Sequence, residues 1–442
     1  MKTFHLITYG CQMNIHDSER IAGVLQQGGW REVRHPADAD LVIFLTCCVR
    51  ESAEERFWGR LNSLAPLKEK RGTLFAVGGC YAQLAGNEIC LRAPWVDLVF
   101  GTTRYPELTE LIARAGSNPA CDIDWSELRL GGIPLARRES FRAWIPVITG
   151  CDNFCSYCVV PYVRGREASR PREEILEEVD AAVSEGAREV VLLGQNVDSY
   201  GRDRGEKGAF SCLLHEVAER WPQAWIRFLT SHPRDFGEEL VRVIREHKNI
   251  CRYIHLPLQA GSDRILRAMR RGYTLEEYLE KVELTRRVLP DAAISTDLMV
   301  GYPGEEEEDF EQTLQAVRAC RFDSAYTFIY NPRPGTAAAT LKEKEIPADV
   351  KRRRLVRLAE LVQELSYGSN KAEVGKVVEV LVEGESPRSR KTPYNLRGRT
   401  RTNRVVNLRG KRELVGEVVK AHIARAGPWS LYADQVFEGG DT

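Results

Sequence analysis

The chain has 442 residues, more than one hydrophobic core usually organises, so we expect two to four domains. Its composition, 43% hydrophobic and 29% charged, is typical of a soluble globular protein. With 63 basic and 63 acidic residues the net charge is zero, which neither favours nor excludes a nucleic-acid partner.

The amino terminus predicts neither secretion nor membrane insertion. Met1 to Leu6 leads directly to Gly10 and Cys11, without the long apolar segment and small-residue cleavage site of a signal peptide. No apolar run approaches the roughly 18 residues that cross a bilayer. We therefore expect a cytoplasmic protein that makes no membrane contact.

The first 115 residues alternate short apolar strands with helices. The predicted strands are 4–8, 41–45 and 73–77, and the predicted helices are 16–27 and 50–64. This alternation predicts an α/β domain with a parallel sheet covered by helices. Each strand is followed within a few residues by one member of what we call the N-terminal triad, Cys11, Cys47 and Cys80. Because ligands collect at the carboxyl ends of parallel strands, the triad predicts a metal site.

A second alternation follows a polar connection at 115–140. The predicted strands are 144–149, 189–193, 225–230, 252–255, 293–297 and 324–330, and the predicted helices include 171–184, 236–246, 274–288 and 306–319. Six strand–helix units predict a partial (β/α)6 barrel, since a closed barrel of this kind needs eight. After a helix at 347–366, Val-rich strands at 377–382, 404–408 and 414–423 predict a small antiparallel β-barrel.

Twelve cysteines are many for a protein whose thiols stay reduced, where clusters of them more often bind metal than form disulfides. Five scattered ones are interpreted as small core residues: Cys90, Cys121, Cys212, Cys251 and Cys320. The densest group directly follows a predicted strand. It is the CxxxCxxC triad, Cys151, Cys155 and Cys158.

The count of three cysteines distinguishes the two metal sites that this motif could form. A structural zinc site normally has four ligands, and no fourth cysteine or histidine stands near the CxxxCxxC triad. Three thiolates on a [4Fe–4S] cluster leave one iron open, which can bind a small chelating molecule. The spacing therefore favours a catalytic cluster over structural zinc.

Polar residues gather where consecutive strands of the predicted barrel end. They include Gln195, Asn196, Ser231, Gln259, Thr296 and Asp297. With the CxxxCxxC triad after the first barrel strand, this arrangement resembles the radical S-adenosylmethionine (SAM) superfamily. The resemblance implies that the polar residues bind SAM through acceptors for its amino group and ribose and donors for its carboxylate.

Motifs around the N-terminal triad extend the likeness to the methylthiotransferase family of radical SAM enzymes. These motifs are Tyr9–Asn14, Thr46-Cys47 and Gly78–Gln83. Gly261–Thr274 and Gly398–Val406 are most similar to the branch of tRNA 2-methylthio-N6-dimethylallyladenosine synthases. The resemblance covers nearly the whole chain. It implies a cluster domain at 1–118, a radical SAM core at 137–367 and an RNA-binding TRAM-type β-barrel at 370–438.

The resemblance also implies a reaction that uses two [4Fe–4S] clusters and two SAM molecules. The cluster on Cys151, Cys155 and Cys158 cleaves SAM to a 5′-deoxyadenosyl radical, which removes hydrogen from C2 of an adenine. The cluster on the N-terminal triad supplies sulfur, methylated by the second SAM. The implied substrate is N6-isopentenyladenosine at position 37 in the tRNA anticodon stem-loop, an unpaired base that proteins read readily. The implied enzyme is a monomer that takes electrons from a reductant such as flavodoxin or ferredoxin.

Two positions depart from the family pattern. Leu45 stands where the family usually has Asn before Thr-Cys, and Cys48 stands where it has a small residue other than cysteine. The match to Thr-Cys assigns the ligand to Cys47, and adjacency leaves Cys48 as the alternative. Ala260 replaces a more usual serine and is not counted as a SAM contact.

The β-barrel region is strongly basic, with ten Lys or Arg residues from Arg388 to Arg412 and no acidic residue between them. A run this unbalanced in a neutral protein favours phosphate contacts over a merely solvated face. The predicted RNA-binding residues are Arg397, Arg399, Arg401 and Arg404. Further arginines near the barrel mouth either add to that surface or only solvate a helix: Arg267, Arg270 and Arg271.

The sequence leaves other functions open. Relatives that methylthiolate threonylcarbamoyl-adenosine in tRNA, or an aspartate in a ribosomal protein, share both cluster motifs, although the basic β-barrel favours RNA. A non-enzymatic iron–sulfur electron carrier would instead have fully ligated clusters. Three cysteines at each site argue against that class.

Overall fold

The chain folds into three successive units, which a computed structural model describes over residues 1–48, 51–115, 119–125, 130–387 and 393–437. The first unit has the strands β1 (Thr3–Thr8), β2 (Arg31–Glu32), β3 (Leu41–Thr46), β4 (Leu74–Gly79), β5 (Leu98–Phe100) and β6 (Ala120–Asp122). Its helices are α1 (Gln12–Gln27), α2 (Glu51–Leu64), α3 (Pro66–Arg71), α4 (Cys80–Arg92) and α5 (Leu108–Ala115). The strands form one parallel sheet in the order β2-β1-β3-β4-β5-β6.

Strand β3 shows why this sheet forms. Leu41, Ile43 and Leu45 pack into the core on one face, whereas Val42 and Phe44 pack into the core on the other. A strand that is covered on both faces needs a continuous apolar run, which β3 has. The predicted parallel sheet with helices on both faces is confirmed. Strand β6 lies within the segment predicted as a connection, because its three residues carry no apolar pattern.

The second unit contains the predicted six-stranded partial barrel. Its strands are β7 (Arg142–Pro146), β8 (Ile148–Thr149), β9 (Ala168–Ser169), β10 (Glu189–Leu193), β11 (Trp225–Phe228), β12 (Tyr253–His255), β13 (Ala293–Val300) and β14 (Ser324–Ile329). Its helices are α6 (Val160–Val163), α7 (Arg172–Ser184), α8 (Ala209–Arg220), α9 (Glu238–Glu246), α10 (Asp263–Ala268), α11 (Leu275–Val288), α12 (Glu307–Cys320) and α13 (Ala348–Lys371).

The barrel wall consists of two parallel groups of three strands. Strands β7, β10 and β11 form one group and β12, β13 and β14 the other, and a bridge between Ile226 and Ile250 joins them. The predicted strand 144–149 is divided into β7 and the short β8, which pairs antiparallel with β9. The loop bearing the CxxxCxxC triad lies between β8 and β9.

The third unit is a closed β-barrel of five strands. They are β15 (Val377–Glu385), β16 (Leu396–Thr400), β17 (Val405–Leu408), β18 (Val418–Ala426) and β19 (Leu431–Phe437). The β17–β19 pairing is parallel, so the barrel is not purely antiparallel as predicted. Strands β16 and β19 were not predicted from the sequence. In β16 only Leu396 is a large apolar residue, because glycine and arginines occupy the strand's middle.

Ion pairs link the units to one another. Arg142 of β7 contacts Glu189 of β10 at 2.5 Å and Glu383 of β15 at 2.6 Å, so the β-barrel is tied to the partial barrel. Arg20 of α1 contacts Glu178 of α7 at 2.7 Å, which ties the first unit to the second. The predicted domain limits at 118 and 438 fall outside the described residues. Within the described part of the chain, the helices lack the long apolar stretch that a bilayer crossing needs.

Candidate cluster sites and nucleic-acid interface

The CxxxCxxC triad lies in a loop that backbone hydrogen bonds hold in shape. Gly150 precedes Cys151 with a φ of +76°, and any side chain there would collide with the Arg166 carbonyl. The Cys151 amide donates to the Gly165 carbonyl at 3.1 Å, and the Cys158 amide donates to the Cys155 carbonyl at 2.9 Å. The loop therefore presents its three thiols from a fixed backbone.

A buried cation lies against this triad. Arg271 donates one guanidinium N–H to the Cys155 Sγ at 3.4 Å and another to the Pro257 carbonyl at 2.9 Å. Its side chain is buried, so the predicted helix-surface or RNA role for Arg271 is wrong. Burial raises the pKa of Cys151 to about 11 and that of Cys158 to about 12. Loading a metal centre therefore requires release of these protons.

The N-terminal triad meets at the carboxyl ends of β1, β3 and β4. Gly10 has a φ of +121°, and a Cβ placed there would lie 2.7 Å from the Cys47 Cβ, so only glycine lets Cys47 lie against the backbone next to Cys11. The Asn14 amide donates to the Tyr9 carbonyl at 2.8 Å and to the Thr46 carbonyl at 2.9 Å. Asn14 thereby locks the ends of two strands together.

Cys80 is a thiol of this site whose pKa is lowered. A hydrogen bond from the Cys48 thiol and the nearby Arg164 guanidinium, working against burial, lower the pKa of Cys80 to about 6. Arg164 donates its Nε–H to the Cys80 Sγ at 3.3 Å, and it lies in the second unit, just after α6. The sequence analysis missed this residue, because nothing local in its neighbourhood points to a thiol 84 positions away.

Cys48 and Cys47 occupy different surroundings. Cys48 packs in the apolar core with Phe57 and Trp58, whereas Cys47 lies beside Gly10. Cys48 also contacts Cys80, so the structure keeps both thiols near the site.

The distances between the thiols can be compared with those in a structural zinc site. Every cysteine of the chain lies among the described residues, and no three Sγ atoms all lie within 4.8 Å of one another. A tetrahedral zinc ion with Zn–S bonds of about 2.3 Å would hold its sulfur ligands about 3.8 Å apart. Neither triad is therefore gathered as a single zinc ion would hold it, and three thiols at each site match the number of cysteine ligands of a [4Fe–4S] cluster with one open iron.

Unpartnered polar atoms surround the mouth of the partial barrel. Among the described residues, four side-chain atoms that follow the barrel-wall strands β10, β11 and β14 are buried without a hydrogen-bond partner: Gln195 Oε1, Asn196 Oδ1, His232 Nε2 and Tyr330 Oη. A buried polar atom without a partner is costly, and a polar ligand removes that cost. This observation fits the donor and acceptor groups of SAM.

The other predicted SAM contacts have distinct positions. Ser231 is buried and donates to Asp198 at 3.1 Å. Gln259 is buried with a φ of +73°. Asp297 lies 3.4 Å from the His255 Nε2 and is 27% exposed on the inner face of β13.

Thr296 requires a correction. Side chains alternate along a strand, so the neighbour of the inward-facing Asp297 points to the helical layer. Thr296 is fully buried, and its hydroxyl accepts from the Leu258 amide at 2.9 Å. It fixes the backbone before Gln259 and does not face the barrel interior.

Some cations of the basic run form ion pairs and hydrogen bonds within the protein, and others are exposed to solvent. Arg404 is 11% exposed and contacts Asp323 and Asn370 at 2.8 Å each. Arg401 lies over the Trp225 ring and contacts Glu379 at 2.6 Å. Arg399 contacts Glu383 at 3.2 Å, while Arg397, 40% exposed, lies 4.0 Å from the same carboxylate. Exposed cations continue the surface at Arg409, Lys411 and Arg412; Arg388, Arg390 and Lys391 lie outside the described residues.

The five scattered cysteines are not all core residues. Cys251 and Cys320 are buried as predicted, but Cys121 and Cys212 are exposed and Cys90 is partly exposed. Cys121 lies on the short edge strand β6 and Cys212 on the outer face of α8, positions that the sequence pattern did not resolve.

Three known family descriptions match consecutive parts of the chain. The radical SAM superfamily matches residues 145–317, which include the CxxxCxxC triad. An uncharacterized protein family, UPF0004, matches residues 3–101, which include the N-terminal triad. The TRAM domain matches residues 371–436, the closed β-barrel.

Curated relatives match over nearly the whole length. A tRNA-2-methylthio-N(6)-dimethylallyladenosine synthase from Caldicellulosiruptor saccharolyticus is 46% identical over 98% of this chain and 93% of its own. The enzyme of the same name from Carboxydothermus hydrogenoformans is 46% identical over 96% of both chains. The chain belongs to this synthase family. It is therefore a radical SAM enzyme whose family chemistry uses an iron–sulfur cluster and SAM.

Solved structures show the same fold at much lower identity. The chain matches the radical SAM methyltransferase TsrM from Kitasatospora setae with a TM-score of 0.57 and 14% identity over 77% of each chain. It matches the cobalamin-dependent SAM radical enzyme OxsB with a TM-score of 0.51 and 10% identity over 82% of this chain and 56% of the other. These two likenesses show the fold alone.

Proposed function

We propose that the protein is a tRNA methylthiotransferase that adds a methylthio group to C2 of N6-isopentenyladenosine at position 37. The observation that carries this proposal is the presence of two separate cysteine triads, one at the strand ends of the parallel sheet of the first unit and the other in the loop between β8 and β9 of the second. A single triad would suffice to cleave SAM, so a second one needs a separate role. The names of the curated relatives support sulfur insertion as that role.

The CxxxCxxC triad is the proposed radical site. Cys151, Cys155 and Cys158 would hold a [4Fe–4S] cluster, which when bound supplies an open iron for SAM and the electron that cleaves it. The unpartnered atoms of Gln195 and Asn196 would orient SAM at the barrel mouth. Ser231, Gln259 and Asp297 complete the proposed pocket.

The N-terminal triad is the proposed sulfur-donating site. Cys11, Cys47 and Cys80 would hold a second [4Fe–4S] cluster, and the second SAM molecule would methylate the transferred sulfur. Arg164 reaches Cys80 from the unit that carries the radical site, so the two sites share one rigid segment. That arrangement suits two reactions on one base.

The closed β-barrel is the proposed tRNA platform. Arg397, Arg409, Lys411 and Arg412 are the cations best placed for phosphate contacts because they are the most exposed of the described run, with Arg399 beside them. Arg412 lies 3.4 Å from Glu385 but is 83% exposed, whereas Arg401 and Arg404 are 30% and 11% exposed. We expect the anticodon stem-loop to be the bound part of the tRNA. A monomeric enzyme that receives electrons from a flavodoxin or ferredoxin completes the proposal.

Removing the CxxxCxxC triad tests the assignment of the radical site. The triple variant Cys151→Ala, Cys155→Ala and Cys158→Ala should lower the iron content from about eight to about four atoms per chain, because one cluster of two is lost. It should also form no 5′-deoxyadenosine from SAM under reducing conditions. A triple variant that still cleaved SAM would contradict the assignment.

A further inference from the structure

Each cysteine triad has one buried arginine that donates a hydrogen bond to a cysteine sulfur. Arg271 donates to the Cys155 Sγ at 3.4 Å, and Arg164 donates to the Cys80 Sγ at 3.3 Å. Both arginines are less than a tenth exposed, so solvent screens their charges weakly. A hydrogen bond to a cluster sulfur and a nearby positive charge both stabilise the reduced, more negative form of the cluster.

The two arginines differ in what balances their charge. Arg271 also donates to two neutral groups, the Pro257 carbonyl and the Tyr273 hydroxyl. Arg164 instead forms an ion pair with Asp17 at 2.6 Å, and Asp17 is buried on α1 of the first unit. The negative charge of Asp17 therefore partly offsets the positive charge that Arg164 brings to Cys80.

The segment that carries Arg164 is fixed in place by the first unit. Val159 and Val163 pack in the same apolar core as Cys80 and Cys48. Thr102 donates to the Val163 carbonyl at 2.6 Å, and Arg164 donates to the Asn14 Oδ1 at 3.2 Å. Because Cys158 lies only six positions before Arg164, this segment joins the two triads through rigid packing.

We propose that the Arg164–Asp17 pair, which spans two domains, sets the reduction potential of the cluster on the N-terminal triad. The guanidinium makes that cluster easier to reduce, and the Asp17 carboxylate limits the effect. The two residues act through Cys80 and are positioning residues, since neither is a ligand. The inference rests on the proposed function, because it requires a cluster on Cys11, Cys47 and Cys80.

The opposite charges of the pair provide the test. Redox titration of the reconstituted full chain, followed by electron paramagnetic resonance, measures the midpoint potential of each cluster. The Cys151, Cys155 and Cys158 triple variant identifies the N-terminal signal. Arg164→Gln should shift that midpoint to a more negative value, and Asp17→Asn should shift it to a more positive value. Arg164→Lys, which keeps the charge, should lie closer to the wild type than Arg164→Gln.

Arg170→Gln is the matched control. Arg170 is equally buried in the same unit and contacts Glu178 at 2.9 Å and the Pro146 carbonyl at 2.9 Å, rather than a cysteine. Its loss should lower thermal stability and leave the N-terminal midpoint nearly unchanged. A purely structural role of Arg164 predicts lower stability in both variants and no shift in either midpoint.

Three results would overturn the proposal. The first is an unchanged midpoint of the N-terminal cluster in Arg164→Gln with full iron content. The second is a shift of that midpoint in the same direction in Arg164→Gln and Asp17→Asn. The third is loss of the N-terminal cluster from both Arg164→Gln and Arg164→Lys although the protein is folded. Failure of the two-cluster premise of the proposed function is distinguishable, because the wild type itself would then contain about four irons or show one reductive transition. Failure of the methylthiolation itself would show in the tRNA nucleosides and leave these midpoints unaffected.

Discussion

At the scale of single residues, a few small side chains decide where the thiols lie. Gly10 leaves the space through which Cys47 approaches Cys11, and Asn14 holds the carbonyls of Tyr9 and Thr46. The sequence analysis placed these residues in a motif, but only the fold shows the contacts. Arg164 and Arg271 could not be predicted, because their partners are distant in sequence and a lone arginine has no distinctive pattern.

The choice between Cys47 and Cys48 is testable at this scale. Cys47 lies beside Gly10, next to Cys11, and matches the Thr-Cys pattern of the family, so we expect Cys47 to be the ligand although Cys48 contacts Cys80. We expect Cys47→Ala to lose about four of about eight irons and Cys48→Ala to keep nearly all of them. Iron analysis of the two reconstituted variants decides the matter. The reverse result would move the ligand by one position.

Asp198 predicts a pH-dependent stability. Burial raises the pKa of this carboxyl to about 7, despite hydrogen bonds from the Ser231 hydroxyl and the His232 amide. The pKa of Asp198 is thus higher in the folded state than in the unfolded state, where it is about 3.9, so folding favours the protonated carboxyl. The resulting contribution to stability is present below about pH 3.9 and is lost as the pH rises through about 7. The melting temperature of Asp198→Asn, measured relative to the wild type, should therefore increase between pH 5.5 and 8.5. A difference that stays constant across this range would show that Asp198 is ionised throughout.

At the scale of elements, alternation along strands explains both the correct predictions and one error. The apolar runs of β3 and β10 identified buried parallel strands correctly. In β13 the sequence analysis assigned both Thr296 and Asp297 to SAM, although adjacent strand residues face opposite sides. The fold resolves this, since Thr296 supports the Leu258 amide and Asp297 faces the barrel interior. Strands β6 and β16 were missed because short or arginine-rich strands carry little apolar signal.

The basic surface of the β-barrel makes an element-scale prediction about salt. If exposed cations contact tRNA phosphates, each contact releases counterions, and affinity should fall at least about tenfold between roughly 50 and 200 mM salt. Changing Arg397, Arg409, Lys411 and Arg412 to glutamine should weaken tRNA binding and flatten this dependence. Binding titrations at three salt concentrations measure both effects.

The control for this surface is Arg404→Gln. Arg404 contacts Asp323 and Asn370, so its loss should destabilise the packing of the β-barrel on the partial barrel. It should change the salt dependence of tRNA binding little. An unchanged salt dependence in the fourfold variant would contradict the tRNA-platform proposal.

At the scale of the whole molecule, three units whose apolar cores meet at their borders bring two cysteine triads into one structure. The order of the units and the six-stranded barrel were predictable, because each has a strong apolar periodicity. The packing between units was not, since it depends on buried ion pairs such as Arg142–Glu383 and Arg20–Glu178. These pairs connect residues whose charges looked like ordinary surface groups in the sequence.

Because the two cysteine triads lie in different units, we predict that sulfur insertion can be lost without loss of SAM cleavage. Cys80→Ala should still form 5′-deoxyadenosine, because the CxxxCxxC triad lies in another unit. It should produce no methylthiolated nucleoside. Chromatography of the nucleosides and of the SAM products measures both. Loss of both activities would indicate that the N-terminal triad is required for the structure of the radical site.

The central claim is tested most directly by mass spectrometry of nucleosides from tRNA. Isopentenylated tRNA is incubated with the reconstituted enzyme, SAM and a reductant, then digested. The account predicts that N6-isopentenyladenosine is converted to a product whose added mass corresponds to one methylthio group in place of hydrogen at C2, and that Cys80→Ala gives none. Unchanged N6-isopentenyladenosine after incubation with an enzyme that contains both clusters and cleaves SAM would contradict it.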